Sequence, residues 1–198
     1  MPSVSACCMN PMRLNEITGL ISGIRYLPSP NYDDRPEDQV IDTLVVHSIS
    51  LPPGCFGGGH VTSLFTNCLD PDSHPYFTEI SHLRVSAHFL IERDGALTQF
   101  VAAHQRAWHA GESQFRGRPK VNDFSIGVEL EGCDSSPFAD VQYDVLVELT
   151  KALQRGYPDI AIDRITGHAD IAPGRKTDPG PCFQWRRYLA ALQPEVIT

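Results

Sequence analysis

Residues 41–47, IDTLVVH, form an apolar run that ends in a histidine. A short run rich in β-branched and aliphatic residues is typical of a buried strand. Residues 124–130, FSIGVEL, predict a second strand, and residues 164–168, RITGH, predict a short one that also ends in a histidine. Side chains at strand ends commonly project into a crevice, which makes His47 a candidate ligand. Taken alone, a histidine in such a place is more often a hydrogen-bonded core residue.

The elements around these strands indicate the fold class. Residues 85–92 and 97–101 flank Asp94-Gly95, a strong hairpin signal. Residues 139–157 carry apolar side chains at helical spacing, residues 184–192 suggest a last helix, and a further helix is possible around residues 60–69. Strands mixed with helices, including one antiparallel hairpin, predict an α/β (α+β) fold. We expect a single domain with a central mixed β-sheet flanked by α-helices.

Composition restricts the partners of this protein. A chain of 198 residues is most simply one domain. The formal net charge is −8 and the basic residues form no run, which argues against nucleic acid as a partner. No apolar stretch approaches the ~18 residues of a membrane span. The opening residues have neither the charge nor the apolar region of a signal peptide, so the sequence predicts a cytoplasmic protein that does not enter the membrane.

Cysteine usage agrees with a cytosolic location. No C-x-x-C pair occurs, so a zinc knuckle is not indicated, and we expect reduced thiols. The six cysteines are Cys7, Cys8, Cys55, Cys68, Cys133 and Cys182. Met12 is an alternative start, which would make the residues before it a dispensable tail.

Residues 167–181, GHADIAPGRKTDPGP, place His168, Lys176 and Asp178 on one loop that three prolines stiffen. Imidazole and carboxylate are ligands for zinc, and three protein ligands leave a fourth tetrahedral position open for water. For any His-Asp pair alone, a solvated surface loop is the better interpretation. The combination with His47 favours a metal site instead.

Several motifs in order resemble the zinc-dependent N-acetylmuramoyl-L-alanine amidases, and within them the cytoplasmic 1,6-anhydro-N-acetylmuramyl-L-alanine amidases. The motifs are LVVHS, RVSAHFLIERDG, RAWHAG, NDFSIGVELEG and GHADIAPGRKTDPGP. The similarity runs from about residue 24 to residue 189. It implies an amidase and peptidoglycan-recognition-protein-like fold. We therefore expect an N-terminal extension and lead-in at 1–23, an amidase domain at 24–192 and a C-terminal tail at 193–198.

The resemblance also implies a catalytic site. It places the family's metal ligands on His47, His168 and Asp178, with one Zn²⁺ per chain. It gives Lys176 the role of stabilising negative charge that develops on the amide oxygen.

A proton acceptor is needed as well. In an alternating strand Glu129 and Glu131 share a face, so spacing alone leaves both open, as well as a pair of solvated structural carboxylates. The resemblance selects Glu129 as general base and acid.

Substrate-binding residues follow from the resemblance and from charge. A muropeptide carries carboxylates, so we expect a cationic patch made of Arg84, Arg116, Arg118 and Lys120. Arg84, His109, Lys120 and Ser48 are the predicted substrate-binding residues. His109 and His88 lie in matched motifs, where they could line the cleft or orient the metal ligands. Relatives carry Asn at the position of Ser48 and Arg at that of Lys120, and Lys cannot form the bidentate fork of Arg.

Two features allow alternatives. Trp108 could stack on a sugar or belong to the core. Residues 51–82 have little regular patterning and could be a wall or lid of a substrate cleft or an ordinary surface connection.

We expect a monomeric enzyme of peptidoglycan recycling. It would hydrolyse the amide between the lactyl group of 1,6-anhydro-N-acetylmuramic acid and L-alanine, and so deplete the muropeptides that signal β-lactamase induction. The alternatives are an amidase that acts on intact cell wall and a peptidoglycan-recognition module that binds without cutting.

Overall fold

A computed structural model describes residues 11–193 of the chain. Outside the described residues lie residues 1–10 of the predicted N-terminal extension, which include Cys7 and Cys8, and residues 194–198 of the predicted tail. The helices are His60–Phe65 (α1), Pro75–Ile80 (α2), Asp140–Gly156 (α3), His168–Ile171 (α4) and Trp185–Leu192 (α5). Single 3₁₀ turns cover Pro71–Ser73, Val121–Asp123 and Ile162–Arg164.

Twelve strands are present in the described part of the chain, most of them only two or three residues long. They are Leu14–Asn15 (β1), Leu20–Ile21 (β2), Arg25–Tyr26 (β3), Tyr32–Asp33 (β4), Thr43–Ile49 (β5), Phe89–Ile91 (β6), Leu97–Gln99 (β7), Arg106–Ala107 (β8), Gln114–Phe115 (β9), Arg118–Pro119 (β10), Ser125–Glu131 (β11) and Ile165–Gly167 (β12).

Six strands form the central sheet in the order β12-β5-β11-β6-β7-β3. All neighbours are parallel except β6 and β7, which pair as the antiparallel hairpin predicted around Asp94-Gly95. The predicted mixed sheet with flanking helices is confirmed. The strand predicted at residues 85–92 is shorter, because only Phe89–Ile91 pairs regularly, and the helix predicted around residues 60–69 ends at Phe65.

Side chains along β5 and β11 alternate between two faces of the sheet, an apolar face in the main core and a functional face that carries the candidate site residues. Leu44 and Val46 of β5, together with Ile126, Val128 and Leu130 of β11, belong to the main hydrophobic core. The side chains between them point to the opposite face of the sheet, as the period of two requires. That opposite face carries His47 and Glu129.

Helices cover both faces of the sheet. α3 and α5 pack on the main core through buried residues such as Leu149, Leu153 and Tyr188. A second core holds residues of α1 and α2, including Phe65 and Phe77. The sheet is therefore buried on both sides, as expected for mostly parallel strands.

The residues before the predicted domain boundary also contribute to packing. Ile21 lies in the main core, and Leu14 packs against it. The boundary at residue 24 stays a prediction. Among the described residues, no helix has the length and apolar character needed to span a bilayer.

Candidate metal centre and active-site cavity

The register of three parallel strands brings the candidate residues together. His47 of β5 pairs with Glu129 of β11, and Val46 pairs with Gly167 of β12. Since His168 directly follows Gly167, it comes to lie beside His47. All three side chains are therefore close to the carboxyl ends of parallel strands, where α/β sheets place their ligands.

Asp178 reaches the same place through the loop that follows α4. The backbone carbonyl of Asp178 accepts a hydrogen bond of 2.8 Å from the amide of Ala169. This contact ties the loop to the first turn of α4, next to His168. The predicted grouping of two histidines and one aspartate from distant parts of the sequence is thus present in the structure.

The three groups form a tight triangle. Nδ1 of His47 lies 3.0 Å from Nδ1 of His168 and 3.1 Å from Oδ2 of Asp178, and the third edge measures 3.0 Å. A tetrahedral ion with bonds of about 2.0–2.1 Å holds its ligand atoms about 3.3 Å apart. Within residues 11–193 this is the one cluster of three or more His, Cys, Asp or Glu side chains with a geometry suited to a metal ion.

Burial and hydrogen bonds together set the protonation of this cluster. His47 is fully buried, which lowers its pKa to about 4. Burial opposes ionisation of Asp178 too, but hydrogen bonds with His168 and His47 outweigh that cost and hold the pKa of Asp178 well below its ordinary value. A neutral imidazole and an ionised carboxylate are the forms that bind a metal.

The structure distinguishes Glu129 from Glu131. Glu131 accepts hydrogen bonds from the backbone amides of Gly57 and Arg93, the latter at 3.2 Å. Glu129 lines a large cavity, and its Oε2 is the one buried side-chain nitrogen or oxygen without a hydrogen-bond partner in the described chain. Burial, followed by the nearby charge of Asp178, raises the pKa of Glu129 well above its ordinary value. Glu129 is therefore available for chemistry, whereas Glu131 holds two loops together.

The cavity has a volume of about 770 Å³. His168, Asp178, Glu129 and Lys176 lie in its wall beside Ser48 and His109. The other part of the wall is largely apolar and comes from residues 51–85. Its members include Leu51, Pro53, Leu64, Phe65, Tyr76, Ile80, Leu83 and Val85. The segment with little sequence patterning thus forms a wall of the cavity.

Trp108 also lines this cavity, and its indole Nε1 donates a hydrogen bond of 3.0 Å to Asp33. The side chain is half-buried in the cavity wall and is not a core residue. Sequence inspection did not identify Arg175, which lines the cavity one residue before Lys176. Its position in the same Pro- and Gly-rich loop is the signal that could have revealed it.

The expected cationic patch does not form a free surface. Arg116 pairs with Asp163, and Arg118 pairs with the buried carboxylate of Asp42 at 2.5 Å. Lys120 lines a second pocket, together with Arg35 and Asp123, and does not line the central cavity. Nearby carboxylates in the folded chain therefore neutralise two of the four predicted cations, and the patch itself stays a prediction.

Arg84 lies at the rim between two lining residues, Leu83 and Val85, but does not line the cavity itself. Its guanidinium donates to carbonyls of its own turn at 3.3–3.4 Å. The substrate-binding roles of Arg84, His109, Lys120 and Ser48 stay predictions. The cavity wall contains only His109 and Ser48 of these four.

A buried His-His-Asp triangle next to an unpartnered carboxylate, at the carboxyl ends of parallel strands, is typical of metal-dependent hydrolases. The fold and the site together define this class. The model of the N-acetylmuramoyl-L-alanine amidase family matches residues 37–181. The chain therefore belongs to the N-acetylmuramoyl-L-alanine amidase family.

Individual relatives agree with the family assignment. The chain is 56% identical over 177 residues to the 1,6-anhydro-N-acetylmuramyl-L-alanine amidase AmpD of Escherichia coli (strain K12), with 89% of this chain and 96% of the relative covered. A crystal structure of a selenomethionine AmpD derivative superposes with a TM-score of 0.86 at 54% identity, and covers 89% of this chain and 98% of that one.

A more distant relative was solved with a substrate. The amidase AmiD from E. coli, in complex with anhydro-N-acetylmuramic acid-L-Ala-D-γ-Glu-L-Lys, shares 30% identity and a TM-score of 0.57. That comparison covers 79% of this chain and 60% of the relative.

The contrast between the two glutamates generates a stability prediction. We expect Glu129→Gln to raise the free energy of unfolding of the metal-free protein at neutral pH, because it removes a buried carboxylate that has no partner. Because the pKa of Glu129 is higher in the folded than in the unfolded state, ionised Glu129 lowers the free energy of unfolding by about 1.4 kcal/mol for each pKa unit at pH values above its folded-state pKa. Below about pH 4 the carboxyl is protonated in both states, and this cost disappears. The gain should therefore disappear in acid. Urea unfolding at both pH values measures it.

Glu131→Gln is the matched control. It should lower the free energy of unfolding at neutral pH, because a Gln side chain has one acceptor oxygen for two backbone donors. If the two variants changed stability in the same direction, the distinction between a free and a structural carboxylate would be wrong.

Proposed function

We propose that this protein hydrolyses the amide between the lactyl group of 1,6-anhydro-N-acetylmuramic acid and L-alanine in muropeptides, with one zinc ion held by His47, His168 and Asp178. The observation that supports it most directly is the buried ligand triangle beside the unpartnered carboxylate of Glu129. The names of the relatives supply the substrate class: AmpD is an anhydro-muramyl amidase, and AmiD was solved with an anhydro-muropeptide.

The donor set fits zinc. Two imidazole nitrogens and one carboxylate oxygen make a three-ligand set that leaves one tetrahedral position for a reactant, as in catalytic zinc sites. Zinc bound there would supply Lewis-acid chemistry, which acidifies the attacking water and polarises the scissile carbonyl. Two neutral imidazoles and one carboxylate keep the net charge of such a site at +1, which preserves that acidity.

Glu129 would move the proton. Its carboxyl lies one strand away from His47 in register and faces the cavity. Burial raises the pKa of Glu129 well above its ordinary value, so its carboxylate holds a proton more tightly than an exposed one. A general base and acid must accept a proton from water and then release it to the leaving amide nitrogen. Among the described acidic residues, Glu129 is the one with a buried oxygen free to do so.

Lys176 would stabilise the charge on the amide oxygen. It lines the cavity two residues from Asp178, and its positive charge is close enough to lower the pKa values of Glu129 and His47. A positive charge beside the reacting amide lowers the barrier for forming an oxyanion.

The cavity suits a mixed substrate. Its volume falls within the range of about 300–1,000 Å³ that is usual for small-molecule sites. The apolar wall formed by residues 51–85 can contact an anhydro sugar ring, whereas the polar wall surrounds the reacting amide. The assignments of cytoplasmic location and monomeric state stay predictions.

Two rival functions require a separate test. An amidase of intact cell wall would share the same catalytic residues, and a recognition module would bind the same ligand without cutting it. Purified protein should hydrolyse an anhydro-muropeptide and lose this activity with a chelator, while it releases little peptide from intact sacculi. Chromatographic detection of free stem peptide measures both. Equal rates on sacculi would favour the cell-wall amidase, and binding without cleavage would favour the recognition module.

The metal ligands can be tested by substitution. We expect His47→Ala, His168→Ala and Asp178→Ala each to bind less zinc and to abolish turnover, because two ligands cannot replace the third. Zinc content by elemental analysis and turnover on anhydro-muropeptide measure both effects, with His82→Ala, an exposed histidine, as the control. Stoichiometric zinc together with full activity in any of the three ligand variants would contradict the assignment.

Lys176 and Glu129 should affect the rate and leave zinc binding intact. Removal of one preorganised charge-stabilising group costs about 10²–10³ in kcat, so Lys176→Ala should be folded, zinc-loaded and slow. Glu129→Ala should lose a comparable or larger factor, since general acid-base catalysis contributes about 10²–10⁴. Glu131→Ala compared at equal zinc content is the control, and normal turnover of Glu129→Ala would exclude Glu129 as the base.

A further inference from the structure

Four histidines form a buried row that starts at the metal triangle and continues into the protein. Successive ring centroids are 4.5 Å apart for His168 and His47, 5.0 Å for His47 and His109, and 5.8 Å for His109 and His88. All four are buried. Only the first two belong to the ligand triangle, so the contact between His47 and His109 has no role in the proposed chemistry described above.

A continuous set of hydrogen-bonding atoms follows this contact. Nε2 of His47 lies 2.9 Å from Nδ1 of His109, and Nε2 of His109 lies 3.3 Å from the hydroxyl of Ser125. The Ser125 hydroxyl donates to the carbonyl of Val121 at 2.7 Å. Because that hydroxyl uses its proton on Val121, it meets His109 as an acceptor.

These contacts determine one arrangement of protons. With Ser125 as acceptor, His109 carries its proton on Nε2 and presents a lone pair on Nδ1. His47 then donates from Nε2 to His109, and its Nδ1 is left with a lone pair directed at the triangle. Nδ1 is the atom of His47 that lies 3.0–3.1 Å from the other two ligands. The hydrogen bond on one ring nitrogen thus decides which nitrogen can bind metal.

We propose that His109 is a positioning residue that fixes the tautomer and ring orientation of His47 for metal binding. This inference rests on the metal site proposed above. His109 lines the cavity as well, but its ring nitrogens are both engaged within the protein, one by His47 and one by Ser125.

The same short segment holds the second histidine ligand. Nε2 of His168 lies 3.2 Å from the backbone carbonyl of Ala110, the residue after His109. Asn122 fixes this segment, since its side-chain oxygen accepts from the amides of His109 at 3.2 Å and Ala110 at 2.8 Å. Arg175 donates to the same Ala110 carbonyl at 2.7 Å. Both imidazole ligands are therefore oriented by residues 109–110.

The central strand leaves room for the His109 ring. A Cβ atom added to Gly127 of β11 would lie 2.5 Å from Cγ and 2.6 Å from Nδ1 of His109. Real Cβ contacts are never so short, so the ring can occupy its place only because residue 127 has no side chain. Gly127→Ala therefore offers a way to displace the ring without removal of any polar atom.

The test measures zinc affinity by chelator competition in the full-length protein. Outer-shell substitutions typically cost about 10- to 100-fold in metal affinity, and we expect a loss in this range for His109→Ala. His109→Gln should recover most of it, since a Gln oxygen can accept from His47 while the amide donates to Ser125. Gly127→Ala should weaken zinc binding with all polar groups retained. Long-range ¹H–¹⁵N correlation spectra of the zinc-loaded protein should show His47 protonated on Nε2 in the wild type.

Two controls separate positioning from general destabilisation. His82→Ala removes an exposed histidine, and Thr150→Ala removes a buried hydrogen bond to Tyr188 on the opposite side of the sheet. Both should keep wild-type zinc affinity, even if Thr150→Ala lowers the melting temperature.

The possible outcomes are distinct. Wild-type zinc affinity in His109→Ala would overturn the inference and leave the proposed function intact. Equal losses of zinc affinity in His109→Ala and His109→Gln would also overturn the inference if Thr150→Ala lost zinc affinity in the same proportion to its fall in melting temperature. That result would show that His109 has a purely structural role. A wild-type protein that binds no zinc would instead refute the proposed metal site, and the inference with it.

Discussion

The structure depends on the parallel pairing of β5 with both of its neighbours. This pairing sets His47 opposite Glu129 and brings His168 beside His47. A slip of one residue would turn each side chain to the other face of the sheet and place Val46 in the site and His47 in the core. The apolar face packed by α3 and α5 resists such a slip, because Leu44 and Val46 would lose their contacts in the main core. Hydrophobic packing on one face of the sheet therefore fixes the chemistry on the other.

Buried polar groups on the functional face of the sheet are incompletely hydrogen-bonded. The three candidate ligand atoms are held 3.0–3.1 Å apart, and a buried glutamate oxygen has no partner. Polar groups buried in this way cost free energy unless something compensates them. The outer contacts show where the protein compensates: Asn122, Ser125 and Arg175 each make hydrogen bonds that hold the groups next to the ligands. The candidate site therefore lowers the stability of the fold, and hydrogen-bonded neighbours hold its side chains in place.

Charge has two separate uses in this chain. Asp42 binds Arg118 and Arg164, and Arg106 binds Asp33 and Asp123, so these arginines connect strands and loops around the site. Lys176 differs, because it lines the cavity and acts on the pKa values of groups within it. The linear sequence shows only that basic residues cluster near position 118. Whether a cation is paired or free depends on carboxylates tens of residues away, and only the folded chain brings them into contact.

Local pattern predicted five of the six strands of the central sheet and missed Arg25–Tyr26 (β3). The runs around His47 and Glu129, the Asp94-Gly95 hairpin and the long helix α3 all carry signals within one segment. The family motifs supplied the candidate ligands His47, His168 and Asp178. Period two could not separate Glu129 from Glu131, because both lie on the same face. The tertiary structure shows that their contacts differ: backbone amides of residues 57 and 93 donate to Glu131, whereas Oε2 of Glu129 has no partner. The tertiary structure also places His109 against His47, 62 positions away in the sequence. This contact depends on strand register and on the space left by Gly127, and a local sequence pattern reveals neither.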